Sequence, residues 1–92
     1  MKTATHIKDL TNFRGFAALY HLNEPLDSFS YVVVSAVNTY FGPETYIFGS
    51  DENGQIDSWI ELHGSYRGGL NHETALGNAG YVLEESDSGI DP

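Results

Sequence analysis

The order of apolar and polar positions divides this chain into strand-like runs and one short helical stretch. Between 13 and 22, Phe16, Ala18, Tyr20 and Leu22 alternate with Ala17, Leu19 and His21. That period of two predicts a strand with most of both faces covered. Residues 31–41 are the most β-prone run, with Tyr31, Val33, Val37 and Phe41 on one parity and Val32, Val34 and Ala36 on the other. Apolar residues on both parities predict a central strand. Between the two runs, Asn23-Glu24-Pro25-Leu26-Asp27-Ser28 predicts a break, because Pro25 has no N–H for a ladder bond. Gly42-Pro43 predicts the next turn.

Residues 44–62 predict a hairpin around Asp51-Glu52-Asn53-Gly54. A two-residue Asn53-Gly54 loop would place Phe48 opposite Trp59 and Ile47 opposite Ile60. A type I turn with Gly54 as a bulge instead places Tyr46 opposite Ile60 and Ile47 opposite Trp59. The second register gathers Tyr46, Phe48, Ile56, Ile60 and Leu62 on one face, and Asp in first position with Gly in fourth suits its turn. It predicts an outward face carrying Ile47, Asp57, Trp59 and Glu61.

After a loop of His63-Gly64-Ser65-Tyr66-Arg67-Gly68-Gly69, Asn71 reads as the N-cap of a short helix over 72–79. Ala75, Leu76 and Ala79 would face inward, and Gly80 suits the left-handed position after the helix. Tyr81-Val82-Leu83 predicts a last short strand. Residues 1–12 carry no clear period and predict an arm, with one helical turn around Ile7 to Leu10. Residues 84–92 predict an acidic, disordered tail. The expectation is one α+β domain over 13–83: an antiparallel meander of four to five strands with one short helix packed on it, in the order β-β-β-β-α-β.

Charge narrows the functional classes. The 92 residues hold 13 acids and 4 bases, for a net charge of −9. Residues 1–23 sum to +2, from Lys2, Lys8 and Arg14 against Asp9, whereas residues 24–92 sum to −11, from twelve acids against Arg67. An acidic body is repelled by nucleic-acid backbones and anionic membranes, so the expected partner is a protein with a basic surface. There are no cysteines, so neither disulfides nor thiolate metal sites arise. No apolar segment resembles a secretory leader or membrane span, which predicts a cytoplasmic protein.

Motifs for chemistry are sparse. Counting Gly54 as the sixth position of a calcium loop puts Gly49 where Asp is needed and brings Glu61 one residue late. His63 and His72 lie near Glu61 and Glu73 without metal-ligand spacing. Ser, His and Asp are present without a nucleophile motif. The expectation is a non-enzyme with no cofactor and no metal. A second candidate is the loop of Ser65, Arg67, Gly68, Gly69 and Asn71, whose amides and guanidinium suit a phosphate or nucleotide. Neither a P-loop nor a dinucleotide fingerprint is present. The first candidate is a partner-binding surface of Ile47, Asp51, Glu52, Asp57, Trp59, Glu61, Glu84, Glu85 and Asp87, with Trp59 as an aromatic anchor between carboxylates.

Over about residues 41–82, the chain resembles small acidic accessory proteins of bacteriophages that infect actinobacteria. The residues that carry this are Phe41-Gly42-Pro43-Glu44-Thr45-Tyr46-Ile47-Phe48, Asp51-Glu52-Asn53-Gly54, Gly64-Ser65-Tyr66-Arg67-Gly68-Gly69-Leu70-Asn71-His72-Glu73 and Asn78-Ala79-Gly80-Tyr81. The resemblance implies binding and inhibition of a host protein in the host cytoplasm, in some such proteins by mimicry of nucleic-acid charge. It supplies no catalytic residues. The alternatives are an oligomeric nucleotide binder and a self-assembling virion protein.

Overall fold

The computed structural model describes residues 2–11, 15–57 and 59–84. Its elements are β1 (Thr3–Leu10), β2 (Phe16–Leu26), β3 (Phe29–Thr39), β4 (Gly42–Ser50), β5 (Tyr66–Arg67), α1 (His72–Asn78) and β6 (Val82–Glu84). The strands form one curled sheet in the order β5-β4-β3-β2-β1-β6. β1 to β4 make an antiparallel meander, β5 pairs antiparallel with β4, and β6 runs parallel to β1. The α+β class follows the hydropathy pattern, with more strands than that pattern counts.

Strand alternation gives the sheet two apolar faces. Ala18, Tyr20, Leu22, Val32, Val34 and Ile47 pack with Ala75, Leu76 and Ala79 of α1 and with Leu62 and Tyr81. The opposite face gathers Ala17, Leu19 and Val33 against Leu10, Tyr31 and Ile56. β2 and β3 are therefore covered on both sides, as two-parity apolar runs require. α1 joins the strands at the two sheet edges, β5 and β6, so the connection crosses the sheet over the first face.

The helix ends follow local chemistry. The Asn71 side chain accepts the Thr74 N–H at 2.9 Å. At the other end Gly80 takes φ +98, its N–H reaches the Gly77 carbonyl, and the Tyr81 N–H reaches the Leu76 carbonyl. That is a Schellman closure, with Tyr81 and Leu76 buried in the same core.

Four expectations are corrected. Residues 3–10, read as an arm with a helical turn, form β1; a register shift between His6 and Lys8 breaks the period of two that would have marked a strand. The break expected over 23–28 narrows to Asp27 and Ser28, both at positive φ, while Pro25 sits in an irregular stretch of β2 where the register shifts. Gly54 does take positive φ as a turn bulge, and Ser50 pairs with Ile56, but no strand continues from there to Leu62 among the described residues. Ile47, expected outward, is wholly buried under α1, while Tyr46 and Phe48 share the opposite face. Both parities of β4 are apolar, so only the helix decides which becomes the main core.

Candidate interaction surface

Ile56 belongs to the core opposite the helix, and Leu62 to the core beneath it. The chain between them must round the outer edge of β4. Backbone bonds mark the passage: the Asp57 N–H donates to the Gly49 carbonyl at 3.0 Å, and the Leu62 N–H to the Ile47 carbonyl at 2.8 Å. The Ser65 hydroxyl accepts the Ile47 N–H and donates to the Leu62 carbonyl, so a side chain serves as a ladder partner for this part of β4. On the outside of this wrap, Trp59 and Ile60 remain 66% and 73% exposed.

Phe48 stands behind Trp59. The two rings meet at 5.2 Å between centroids, and Phe48 stacks on Tyr46 at 5.8 Å. This row follows the β4 face away from the helix. Glu52, Asp57 and Glu61 are exposed on the same loop. Residues 51–61 hold four acids and no base, so the two apolar side chains sit in a locally negative field. Asp51 instead shapes the loop. Its carboxylate accepts the N–H groups of Asn53 and Gln55, both at 2.9 Å, and so fixes the turn.

Of the nine residues expected to meet a partner, Glu52, Asp57, Trp59 and Glu61 are exposed on this one loop, Asp51 fixes its turn, and Ile47 is buried. Glu84 lies in β6 at the far edge of the sheet, where it accepts the Thr5 hydroxyl at 3.0 Å. It belongs to a strand, not to the tail. Glu85 and Asp87, with the rest of the expected tail, lie outside the described residues.

The second candidate group is committed to the fold. Arg67 Nε donates to the Glu44 carboxylate at 3.2 Å, and its Nη2 lies 3.9 Å from Glu61. Glu44 is buried, so the guanidinium compensates a charge that burial would otherwise penalise. The Gly68 N–H donates to the Pro43 carbonyl, the Gly69 carbonyl accepts the Thr45 hydroxyl, and the Asn71 N–H donates to that hydroxyl. Ser65 bridges Ile47 and Leu62 as described. The Gly68 and Asn71 N–H groups thus have partners within the fold, and the Arg67 guanidinium, though its side chain is 67% exposed, is directed at Glu44 and Glu61.

A buried polar seam joins α1 to β2. His72 Nε2 donates to the Phe16 carbonyl at 2.9 Å, which leaves Nδ1 to accept the Tyr20 hydroxyl at 3.0 Å. The imidazole stacks on the Phe16 ring at 4.5 Å, and His6, paired with Asp9, meets Tyr20 edge-on. Burial holds the His72 pKa down and pushes the Tyr20 phenol up to about 12, with Asp9 adding to the latter. Both ring nitrogens are bonded, so the seam joins two elements and offers no base to a substrate. Among the described residues, no three His, Asp or Glu side chains group as a metal site requires.

One feature escaped the hydropathy pattern. Tyr40 and Phe41, at the turn between β3 and β4, are 97% and 87% exposed. The apolar run placed Phe41 in the strand. The usable signal was two aromatics directly before Gly42-Pro43, where the chain reverses. Comparison with protein-family models, curated proteins and solved structures finds no match.

Proposed function

We propose that this chain is a small acidic binding protein of the phage accessory type, which docks the loop over 51–61 on a basic surface of a host protein and inhibits it. Trp59 and Ile60 supply the apolar contact, while Glu52, Asp57 and Glu61 set the charge complementarity. If the target surface normally binds nucleic acid, the carboxylates stand in for phosphates. The observation that carries this reading is the wrap around β4, which leaves two large apolar side chains exposed among carboxylates with Phe48 behind them.

Salt and substitution test it together. The tagged protein is used to capture partners from actinobacterial lysate, and the captured protein is then titrated in purified form. Binding is expected to weaken as salt rises, because exposed charge pairs are screened. Trp59→Ala is expected to weaken it roughly tenfold or more, as for an interface anchor. A partner indifferent to salt, to Trp59→Ala and to Asp57→Lys/Glu61→Lys would overturn the reading.

A further inference from the structure

The Tyr40–Phe41 tip stands apart from the acidic loop in chemistry. Three segments meet at its end of the sheet. Phe16 pairs with Ala36, Asn38 pairs with Pro43, and the Gly68 N–H bonds to the Pro43 carbonyl. Residues 15–20, 35–43 and 68–71 contain no Asp, Glu, Lys or Arg. Of the charged residues around these segments, Glu44 is compensated by Arg67, Asp9, opposite Ala18 in β1, is paired with His6, and Arg14 precedes Gly15 in the sequence. Glu73 lies beyond Leu70 at the margin. The same end exposes Phe16 and Leu70 by about half, at 55% and 48%.

The backbone of the tip is held by Thr39. The Thr39 hydroxyl donates to the Gly42 carbonyl at 2.9 Å and accepts the Phe41 N–H at 3.0 Å. The Tyr40 and Phe41 rings stand edge to face, 5.3 Å apart.

We propose that this end is the surface through which two copies of the chain associate, the tip of each packing against the same end of the other about a two-fold axis. Charge selects the occupant. Two bodies at −9 repel wherever acids face each other, and segments 15–20, 35–43 and 68–71, which carry no acid, are where they can approach with little such contact. A bilayer bearing anionic lipid is disfavoured by the same net charge. Area sets the strength. An aromatic side chain buries on the order of 150–250 Å², so the tip with Phe16 and Leu70 offers somewhat less than the ~800 Å² per partner of a standard interface. The expected dimer is weak and reversible.

This inference does not rest on the acidic loop as a docking site, and salt separates the two. Added salt screens the residual repulsion between copies, so self-association is expected to strengthen where partner binding through 51–61 weakens. The experiment is sedimentation equilibrium of the full chain, from low micromolar to submillimolar protein, at low and high salt. The expected result is a monomer–dimer equilibrium that Phe41→Ser weakens roughly tenfold or more and Tyr40→Ser/Phe41→Ser abolishes. Circular dichroism and melting of the variants should match the parent, because both side chains are almost fully exposed. A chain that stays monomeric throughout, or a dimer that survives the double substitution, overturns the inference. So does a monomer that floats with phosphatidylcholine vesicles through the same two residues.

Discussion

The Tyr20 hydroxyl donates to Nδ1 of His72 across the seam between sheet and helix, at 3.0 Å. Because the other ring nitrogen is bonded to the Phe16 carbonyl, the imidazole fits its site only as the neutral tautomer protonated on Nε2. Fifty-two positions separate the two residues in the chain, so this bond records the docking of α1 and not its local stability.

A pH dependence follows. Desolvation lowers the His72 pKa below its ordinary 6.5 in the folded protein. On acidification the unfolded ring therefore takes up its proton first. The contribution to stability is fully present above 6.5 and is lost as pH falls from there through the folded value. Urea unfolding between about pH 7.5 and about pH 5.5 should show a falling midpoint for the parent. His72→Gln should start lower and vary less with pH. Equal slopes would mean that His72 does not supply the linkage.

The Glu44–Arg67 pair predicts a rescue. Arg67→Ala leaves a buried carboxylate without its 3.2 Å partner, at a cost of about 1–3 kcal/mol; exposure of the arginine keeps this under the value for a wholly buried pair. Glu44→Gln removes the charge, so the double variant should recover part of the loss. The measure is a double-mutant cycle on unfolding free energies. Additive losses would show that Arg67 does not compensate Glu44.

Two glycines should respond oppositely to Ala. Gly64 sits at φ +110, and an added Cβ would lie 2.6 Å from the Ala75 carbonyl oxygen and 2.8 Å from Ala79 Cβ. Gly64→Ala is expected to cost about 2–3 kcal/mol, from positive φ and overpacking together. Gly77, inside α1, has nothing within 4 Å of a built Cβ. Gly77→Ala should stabilise by about 0.5–1 kcal/mol, the helix-propensity difference. Thermal melts of the two variants should move in opposite directions.

What could be read from the chain was what local chemistry determines. Asn71 as N-cap, Gly80 after the helix, the bulged turn at Gly54 and a β3 covered on both faces depend on residues within a few positions of each other. β1 stayed hidden because its register shift after His6 puts Lys8 and Leu10 on the face opposite Ala4 and His6. β6 pairs with a strand almost a full chain length away, as Ala4 with Leu83, and three residues carry no period to announce it. The face of β4 is not legible because Ile47 competes with Tyr46 and Phe48, and the sequence has no local signal for which side α1 will cover. Trp59 reads as an outward anchor on a strand that is not present among the described residues. It is exposed instead because the chain turns an edge between Ile56 and Leu62.

That edge wrap predicts a sharp contrast between two residues first expected to share a face. Ile47 is wholly buried between the strands and α1, so Ile47→Ala should cost about 2–5 kcal/mol through lost transfer energy and the cavity left behind. Trp59 packs edge-on against Phe48 and keeps most of its surface exposed. Trp59→Ala should cost less, about 0.5–1.5 kcal/mol, the scale of one aromatic pair. Urea unfolding measures both in one series. A large loss for Trp59→Ala would recast that ring as part of the core and remove the reason to regard the loop over 51–61 as a binding surface. A small one would show that the chain keeps a tryptophan exposed among carboxylates without needing it to fold.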